Sequence, residues 1–514
     1  MLVPFACYAE IHHKRGMVPN FLWQHEPEII ADFPRRVDPE VKKIPFVIIV
    51  KDADKYPVVL KSVVIKFLFP QEKAIIPVFD GEEVITDRMW TKLLHVSRIW
   101  PYTGDVPTIV EITYYCNKKQ RIVENHNYKS IRSRLWYLHF ALEARPALEG
   151  WYGGDIHWHS SYTDDDIEFG LPLPQAKELA QASGLAFLGV TDHSYDLDDV
   201  VGKPHVRDHE NGKWTALKKE LTALNEGSVD CALIRGEEVS CGNQKNQNVH
   251  ALVLGHDEFI AGAGDSTDRG LLNKPDSHIT DFQDKGYLVA AHPLDAQSVL
   301  LRLILRRGAW SDSDLEHADA IEYYNGFKDF AFHEGKKAWI RMLLKGKKLT
   351  AVAGSDAHGD FASAFKVSIP FFKIRTCEQQ MTGMARTYVL CKKQPNEALV
   401  MDALKKGRVI ITDGPLCDMV IAMHHNEYRI GDTILPGKGT ITITAVSTNE
   451  FGIIAKARLL CGKNGIETPL WEITPDTFMI TEIIDFSAES NTYIRIEIET
   501  AKEALAYGNP VYVK

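Results

Sequence analysis

The chain has 514 residues, 45% hydrophobic and 25% charged side chains, and a formal net charge of −10. That balance suits a globular protein of roughly two to four domains with a large core. The acidic charge and the lack of a basic stripe argue against long nucleic acid as a partner, and no run approaches the roughly 20 apolar residues of a membrane-spanning helix. Met1–Cys7 has no basic region and a short, interrupted apolar stretch, which makes a poor signal peptide, so a cytoplasmic location and no membrane partner are expected. The eight cysteines are scattered and none forms a C-x-x-C pair, as for buried free thiols in a reducing compartment.

Residues 1–148 read as a β-rich, sandwich-like domain. Phe46–Val50, Val58–Phe67 and Thr108–Tyr115 are β-branched and aromatic runs, separated by turn residues such as Asp80-Gly81. The proline-punctuated first 40 residues are expected to wrap as an arm. From about 149 to 398 strand and helix signals alternate. Helical spacing covers Pro172–Ser183, Trp214–Asn225 and Phe330–Lys348, and a helix closes at Asp281–Lys285. Apolar runs at Leu185–Val190, Cys231–Ile234, Tyr287–Ala290 and Leu349–Ala353 each end in a polar motif. A βα repeat of this kind predicts a parallel sheet or barrel, whose strand ends gather on one face. Residues 399–514 turn β again. A short helix ends at Ala403–Arg408, and Thr440–Val446 and Tyr493–Ile498 alternate apolar with polar, predicting a second sandwich-like domain.

The motifs at those strand ends carry the chemistry. They are Asp155-Ile156-His157-Trp158-His159, Thr191-Asp192-His193, Gly236-Glu237-Glu238 with His250 beyond it, Ala291-His292-Pro293, and Gly354-Ser355-Asp356-Ala357-His358. On a strand, residues i and i+2 share a face, so His157 and His159 can reach one ion, and Asp356 and His358 repeat that spacing. Asp164 follows past a turn. Glu238 can bridge two cations with its two oxygens, whereas Glu237 points to the opposite face and is expected to make a structural contact. His250, alone in an apolar strand, is the weakest ligand by sequence. Mixed imidazole and carboxylate donors suit two or three divalent Zn, Mn or Fe ions better than Ca or Mg.

This set of motifs resembles the PHP (polymerase and histidinol phosphatase) superfamily of metal-dependent phosphoesterases over roughly residues 150–395. One departure is Thr163-Asp164-Asp165, where Ser-Asp-Gly is common. Gly383–Val389, the segment from Gly407-Arg408 to Gly414-Pro415, and the flanking β domains are similar to the CehA/McbA-like branch, which includes ester and carbamate hydrolases. The resemblance implies a distorted (β/α)7 PHP barrel flanked by the two β-sandwich-like domains. It further implies a first ion on His157, His159, Glu238 and Asp356, a second on Glu238, His250 and His292, and a third on Asp164, His193 and His358.

A hydroxide bridging two ions forms near neutral pH, because a bound ion lowers the pKa of water to about 7. The expected activity is hydrolysis of small phosphomonoesters or phosphodiesters. The alternatives are hydrolysis of a carboxylic ester, carbamate or amide, and a non-catalytic binding protein built on a scaffold barrel. Glu238, Asp356, Asp192, Tyr195 and Asn325 are the candidate residues around the reaction. Asp192 and Asp155, next to ligands, suit orienting them better than attack. His205, His209 and Lys245 also lie in loops after strands, where an ordinary loop role is the plainer reading. The expected partner is a small-molecule substrate, and the flanking domains are expected to narrow the cavity mouth or form a homo-oligomer interface.

Overall fold

The computed structural model describes residues 26–127, 135–163, 170–201, 203–228, 230–262, 264, 273–282, 284–295, 302–303, 305–363, 366–369, 372–375 and 380–514. Near the N-terminus the alternating apolar runs form two facing sheets. Glu28–Asp32, Lys43–Lys51 and Met89–Ser97 make a three-stranded antiparallel sheet. The second sheet is built around Gly104–Cys116, Val58–Leu68 and Lys73–Ile85. In Val58–Leu68 the side chains alternate between buried and half-buried almost throughout, as one face turned to a core requires. The sheets meet through fully buried rings: Phe46 lies 5.2 Å from Phe33 and 6.1 Å from Phe67, and Phe67 lies 5.8 Å from Phe140. Truncating any one of these rings to alanine would cost about 3–5 kcal/mol.

The middle of the chain contributes a row of strands: β1 (Trp151–His159), β2 (Phe187–Val190), β3 (Ala232–Gly242), β4 (Asn248–Leu254), β5 (Tyr287–Ala290), β6 (Ala320–Asn325) and β7 (Thr350–Gly354). They are neighbours in that order. Beyond β7 the two residues of β8 (Ala357–His358) pair in parallel with the end of β1, Trp158 with Ala357 and His159 with His358. Helices α1 (Leu173–Ala182), α2 (Gly212–Gly227) and α3 (Phe330–Leu344) fall on three of the four stretches read as helical. At Asp281–Lys285 there is instead a single 3-10 turn, Ile279–Phe282.

The expected helix-rich (β/α)7 PHP barrel is not what forms. Among the described residues strand makes up 48% and helix 15%, with the strands in several sheets. β3 and β4 are antiparallel, and so are β4 and β5. The reason for the first lies in chain length. A parallel partner needs a crossover of about a dozen residues or more, and only the turn 243–247 separates Gly242 from Asn248. The row also does not end at β1. Its first half pairs antiparallel with β9 (Arg386–Leu390), which pairs with β10 (Val409–Thr412), and the hydrogen bonding runs on through Leu505–Gly508, Thr492–Thr500 and Ile454–Lys463. A four-stranded antiparallel sheet, including Leu416–Met423 and Gly437–Val446, packs against this extension. Ile421, Ile441 and Ile443 meet Leu459, Ile496 and Ile498 there.

A candidate metal centre at the strand ends

The end of β1 delivers His157 and His159 side by side, with ring centroids 5.3 Å apart. The other motifs arrive from their own strand ends, and all the imidazoles and both carboxylates are buried. Glu238 is the hub. Its Oε1 lies 2.6 Å from His250 Nδ1 and 3.1 Å from His292 Nε2, and its Oε2 lies 3.0 Å from His193 Nδ1. His157 Nε2 and His159 Nε2 face the same Oε2 at 3.4 and 3.3 Å, and face Asp356 Oδ1 at 3.1 and 3.2 Å. His358 stacks on His159 at 4.1 Å with the rings parallel to within 1°.

These groups could hold metal ions. Three sets each have donor atoms within 4.8 Å of one another: His157, His159, Glu238 and Asp356; His193, Glu238 and His250; and His159, His193 and His358. The first set coincides with the ligands implied for the first ion. In the other two the grouping differs: His193 stands with Glu238 and His250, while His292 shares Glu238 Oε1 with His250 but falls outside the set, and His159 joins His193 and His358. Asp164 lies outside the described residues. The alignment of the donors fits an ion. Buried His157 Nε2 and Glu238 Oε2 make no hydrogen bond although they lie 3.4 Å apart, as donor atoms turned toward a shared point rather than along the line between them would be.

The electrostatics agree. Burial opposes ionisation of Glu238, yet His250, His157 and His193 hold it well below the usual carboxylate range. Asp356 is held down in the same way by His157 and His159. Burial works against a charged His157, but Glu322, Asp356 and Glu238 hold that imidazole well above its usual range. Two of the candidate ligands also sit in the left-handed region, Asp356 at φ 56° and His292 at φ 27°, a backbone cost that clusters at functional sites. Gly354 is required beside them, because a Cβ there would lie 2.5 Å from Glu322 Oε1 and 2.6 Å from His157 Cβ.

The remaining candidates divide. Asn325, at the end of β6, donates from Nδ2 to Asp356 Oδ2 at 3.4 Å, and its buried Oδ1 has no partner. Tyr195 stacks on the His193 ring at 4.6 Å. Asp192 is committed elsewhere, accepting from Ser160 N and Oγ and from Thr163 N and Oγ1 at 2.8–3.0 Å, so it ties down the turn after β1. Asp155 likewise accepts from the backbone of His157, Ser355 and Gly383. Glu237 faces away, accepting from Ser194 Oγ and Ile260 N, both at 2.8 Å, and burial pushes its carboxyl up to about 8. His209 is exposed and so is Lys245, in the turn after β3, while the side chain of His205 lies outside the described residues.

Two acidic residues that touch the ligands escape the motif reading. Glu322 is fully buried on β6, with Oε2 2.9 Å from His157 Nδ1 and 3.3 Å from His292 N. Asp295 Oδ2 lies 3.0 Å from His292 Nδ1. The available signal for Glu322 was a lone carboxylate inside the run Ala320–Tyr324, a position that a buried strand gives to an acid only when a partner is close.

No protein-family model matches the chain, and no curated protein matches it. Solved structures with some likeness include Parabacteroides merdae β-glucuronidase, 8% identical, with 94% of this chain and 64% of that one covered at a TM-score of 0.20. A putative β-galactosidase from Bacteroides fragilis is 10% identical, covering 95% of this chain and 73% of that one at a TM-score of 0.16. A Salmonella α-2-macroglobulin reacted with methylamine is 7% identical, covering 99% and 24% at 0.14. The chain spans less than two thirds of the length of the β-glucuronidase, and likenesses this weak carry no argument about fold or activity. Among the described residues no helix is long and apolar enough to cross a membrane.

Proposed function

We propose that the chain is a metal-dependent hydrolase acting on small phosphomonoesters or phosphodiesters, in keeping with the PHP-like motifs. The observation that carries the reading is the convergence of five buried imidazoles on Glu238 and Asp356, with His358 stacked on His159 beside them. Two or three divalent transition-metal ions held there would supply an acidified water and an electrophile for the scissile group.

The protein's own groups set the geometry. Glu322 holds His157 at Nδ1, which leaves Nε2 facing the centre; a carboxylate behind a ligating imidazole fixes its orientation and raises its basicity. Asp295 does the same for His292 through Nδ1. Tyr195 buttresses the His193 ring. Asn325 steadies Asp356 with Nδ2, and its unpartnered Oδ1 is the acceptor available to a substrate proton. Asp192 serves as an anchor for the turn after β1 rather than as a reacting group.

A second reading, hydrolysis of a carboxylic ester, carbamate or amide, draws on one feature. A shallow, solvent-open cleft lies beside His292 and Asn325, lined by Pro293, Leu294, Phe327 and Phe332 and by the carboxylates Asp295 and Asp329. Among its described lining residues none is Lys or Arg, which suits an uncharged substrate better than a phosphate dianion. The test is chelated protein refilled with Zn2+, Mn2+ or Fe2+ and assayed on aryl phosphomonoester, phosphodiester, carboxyl ester and carbamate, with metal counted per chain. Metal-dependent phosphoester turnover is the expected result. Ester or carbamate turnover without it would select the second reading, and bound metal with no turnover would overturn both in favour of a binding role.

A further inference from the structure

The loop that follows the last ligand is held from the far end of the chain. Asp32 closes the N-terminal strand Glu28–Asp32 and is 2% exposed. Its Oδ2 accepts from Phe361 N at 2.8 Å, and its Oδ1 accepts from Ala362 N at 2.8 Å, from Ser363 N at 3.1 Å and from its own neighbour Phe33 N at 2.9 Å. Phe361, Ala362 and Ser363 are themselves buried, so three successive N–H groups at residues 361–363 depend on one carboxylate.

That segment is tied to the candidate centre along two routes. Along the chain, only Gly359 and Asp360 separate it from His358. Gly359 has φ 78°, and a Cβ there would meet Leu171 N at 2.5 Å, so this joint has no slack. Asp360 is pinned by Thr382, whose N and Oγ1 both donate to its carbonyl. Through space, the Phe361 ring packs edge-on against Trp158 at 6.5 Å, and Trp158 stands between His157 and His159 on β1.

Resting on the metal-centre reading above, we propose that Asp32 is a positioning residue for the His159–His358 side of the centre, with the N-terminal sheet acting as part of the template for the ligands. The chemistry requires a carboxylate. An asparagine has one acceptor oxygen and would turn an N–H2 group toward N–H donors, leaving buried backbone donors without partners. The loop would then shift, and the shift reaches His358 through a two-residue joint and His159 through Phe361 and Trp158.

The experiment compares chelator-stripped wild type and Asp32→Asn by Zn2+ titration calorimetry, with thermal unfolding of both stripped proteins alongside. The expected result is that one ion binds at least about tenfold more weakly in Asp32→Asn, the scale seen when a group orienting a ligand is lost, while unfolding stays cooperative. Equal stoichiometry and affinity in the two proteins would overturn the proposal. Failure of wild type to bind Zn2+ would instead remove the metal-centre reading on which it rests. Should Asp32→Asn not fold, hydrogen exchange on wild type decides. Amides 361–363 are expected to exchange slowly and to slow further when Zn2+ binds; fast exchange unaffected by Zn2+ would overturn the proposal.

Discussion

The C-terminal strands and the strand ends of the central row each bury a cluster of charged side chains, and the two differ in how their partners line up. In the C-terminal cluster Arg495 donates from Nε and Nη2 to the two oxygens of Glu467, at 2.6 and 2.7 Å, and from Nη1 to Glu497. Lys336 Nζ lies 2.7 Å from Glu497, and Arg458 bridges Glu497 and Glu499. Three cations meet three carboxylates, nearly every contact is an aligned hydrogen bond, and Trp339 covers the guanidinium at 5.1 Å. Around Glu238 the separations are as short, but one carboxylate faces five imidazoles, and buried donor atoms such as His157 Nε2 and Glu238 Oε2 make no hydrogen bond. A cluster that satisfies itself is structural; one that aims its lone pairs at shared points has room for a cation to complete it.

That contrast can be broken by mutation. His157→Ala or Asp356→Ala should abolish turnover and lower metal content, while the melting temperature of the stripped protein stays within a few degrees. Full activity in either variant would remove the site assignment. Glu497→Ala should do the reverse. It leaves Arg495 and Lys336 without their shared carboxylate, so denaturant titration should show a loss of about 3–5 kcal/mol, with metal stoichiometry unchanged in the folded fraction.

A pH series sharpens the same comparison. Burial alone would raise Glu497, but Arg495, Lys336 and Arg458 hold it down to about 2, against an ordinary 4.5. Between those values the unfolded chain binds the proton and the folded chain does not. The contribution is therefore complete above about pH 4.5 and is lost as pH falls toward 2, a change of about 3 kcal/mol. Stability in Glu497→Gln should be correspondingly flatter over that window in acid unfolding curves.

Smaller effects separate the carboxylates near the centre. Glu322→Gln should weaken metal binding about ten- to a hundredfold by calorimetry, since His157 loses its anionic partner at Nδ1. Glu237→Gln, whose side chain faces Ser194 and Ile260, should change metal affinity by less than about threefold, far less than Glu238→Gln. Equal losses in Glu237→Gln and Glu238→Gln would mean that the wrong member of the pair is the hub.

The candidate ligands were legible because metal-binding chemistry restricts them to a few side-chain types at fixed spacing. Two imidazoles at i and i+2, at the end of an apolar run, announce a shared face whatever the rest of the chain does. The alternation of Val58–Leu68 and Gly437–Val446 announced the flanking sheets for the same local reason. Glu322 and Asp32 gave no such signal, because their partners, His157 and the backbone of residues 361–363, are distant in sequence, and Asp295, three residues after His292, belongs to no recognisable motif.

Local pattern by itself determined most of the strands and helices, though not the single 3-10 turn at Ile279–Phe282, and which side chains gather at the strand ends. Tertiary structure alone decided strand direction, the continuity of the central row with the C-terminal strands, and which histidines share a donor set. Periodicity reports the face on which a residue lies. Direction and neighbourhood depend on turn length, register and long-range hydrogen bonds, such as the five-residue link that turns β4 back along β3 and the carboxylate of Asp32 that holds residues 361–363.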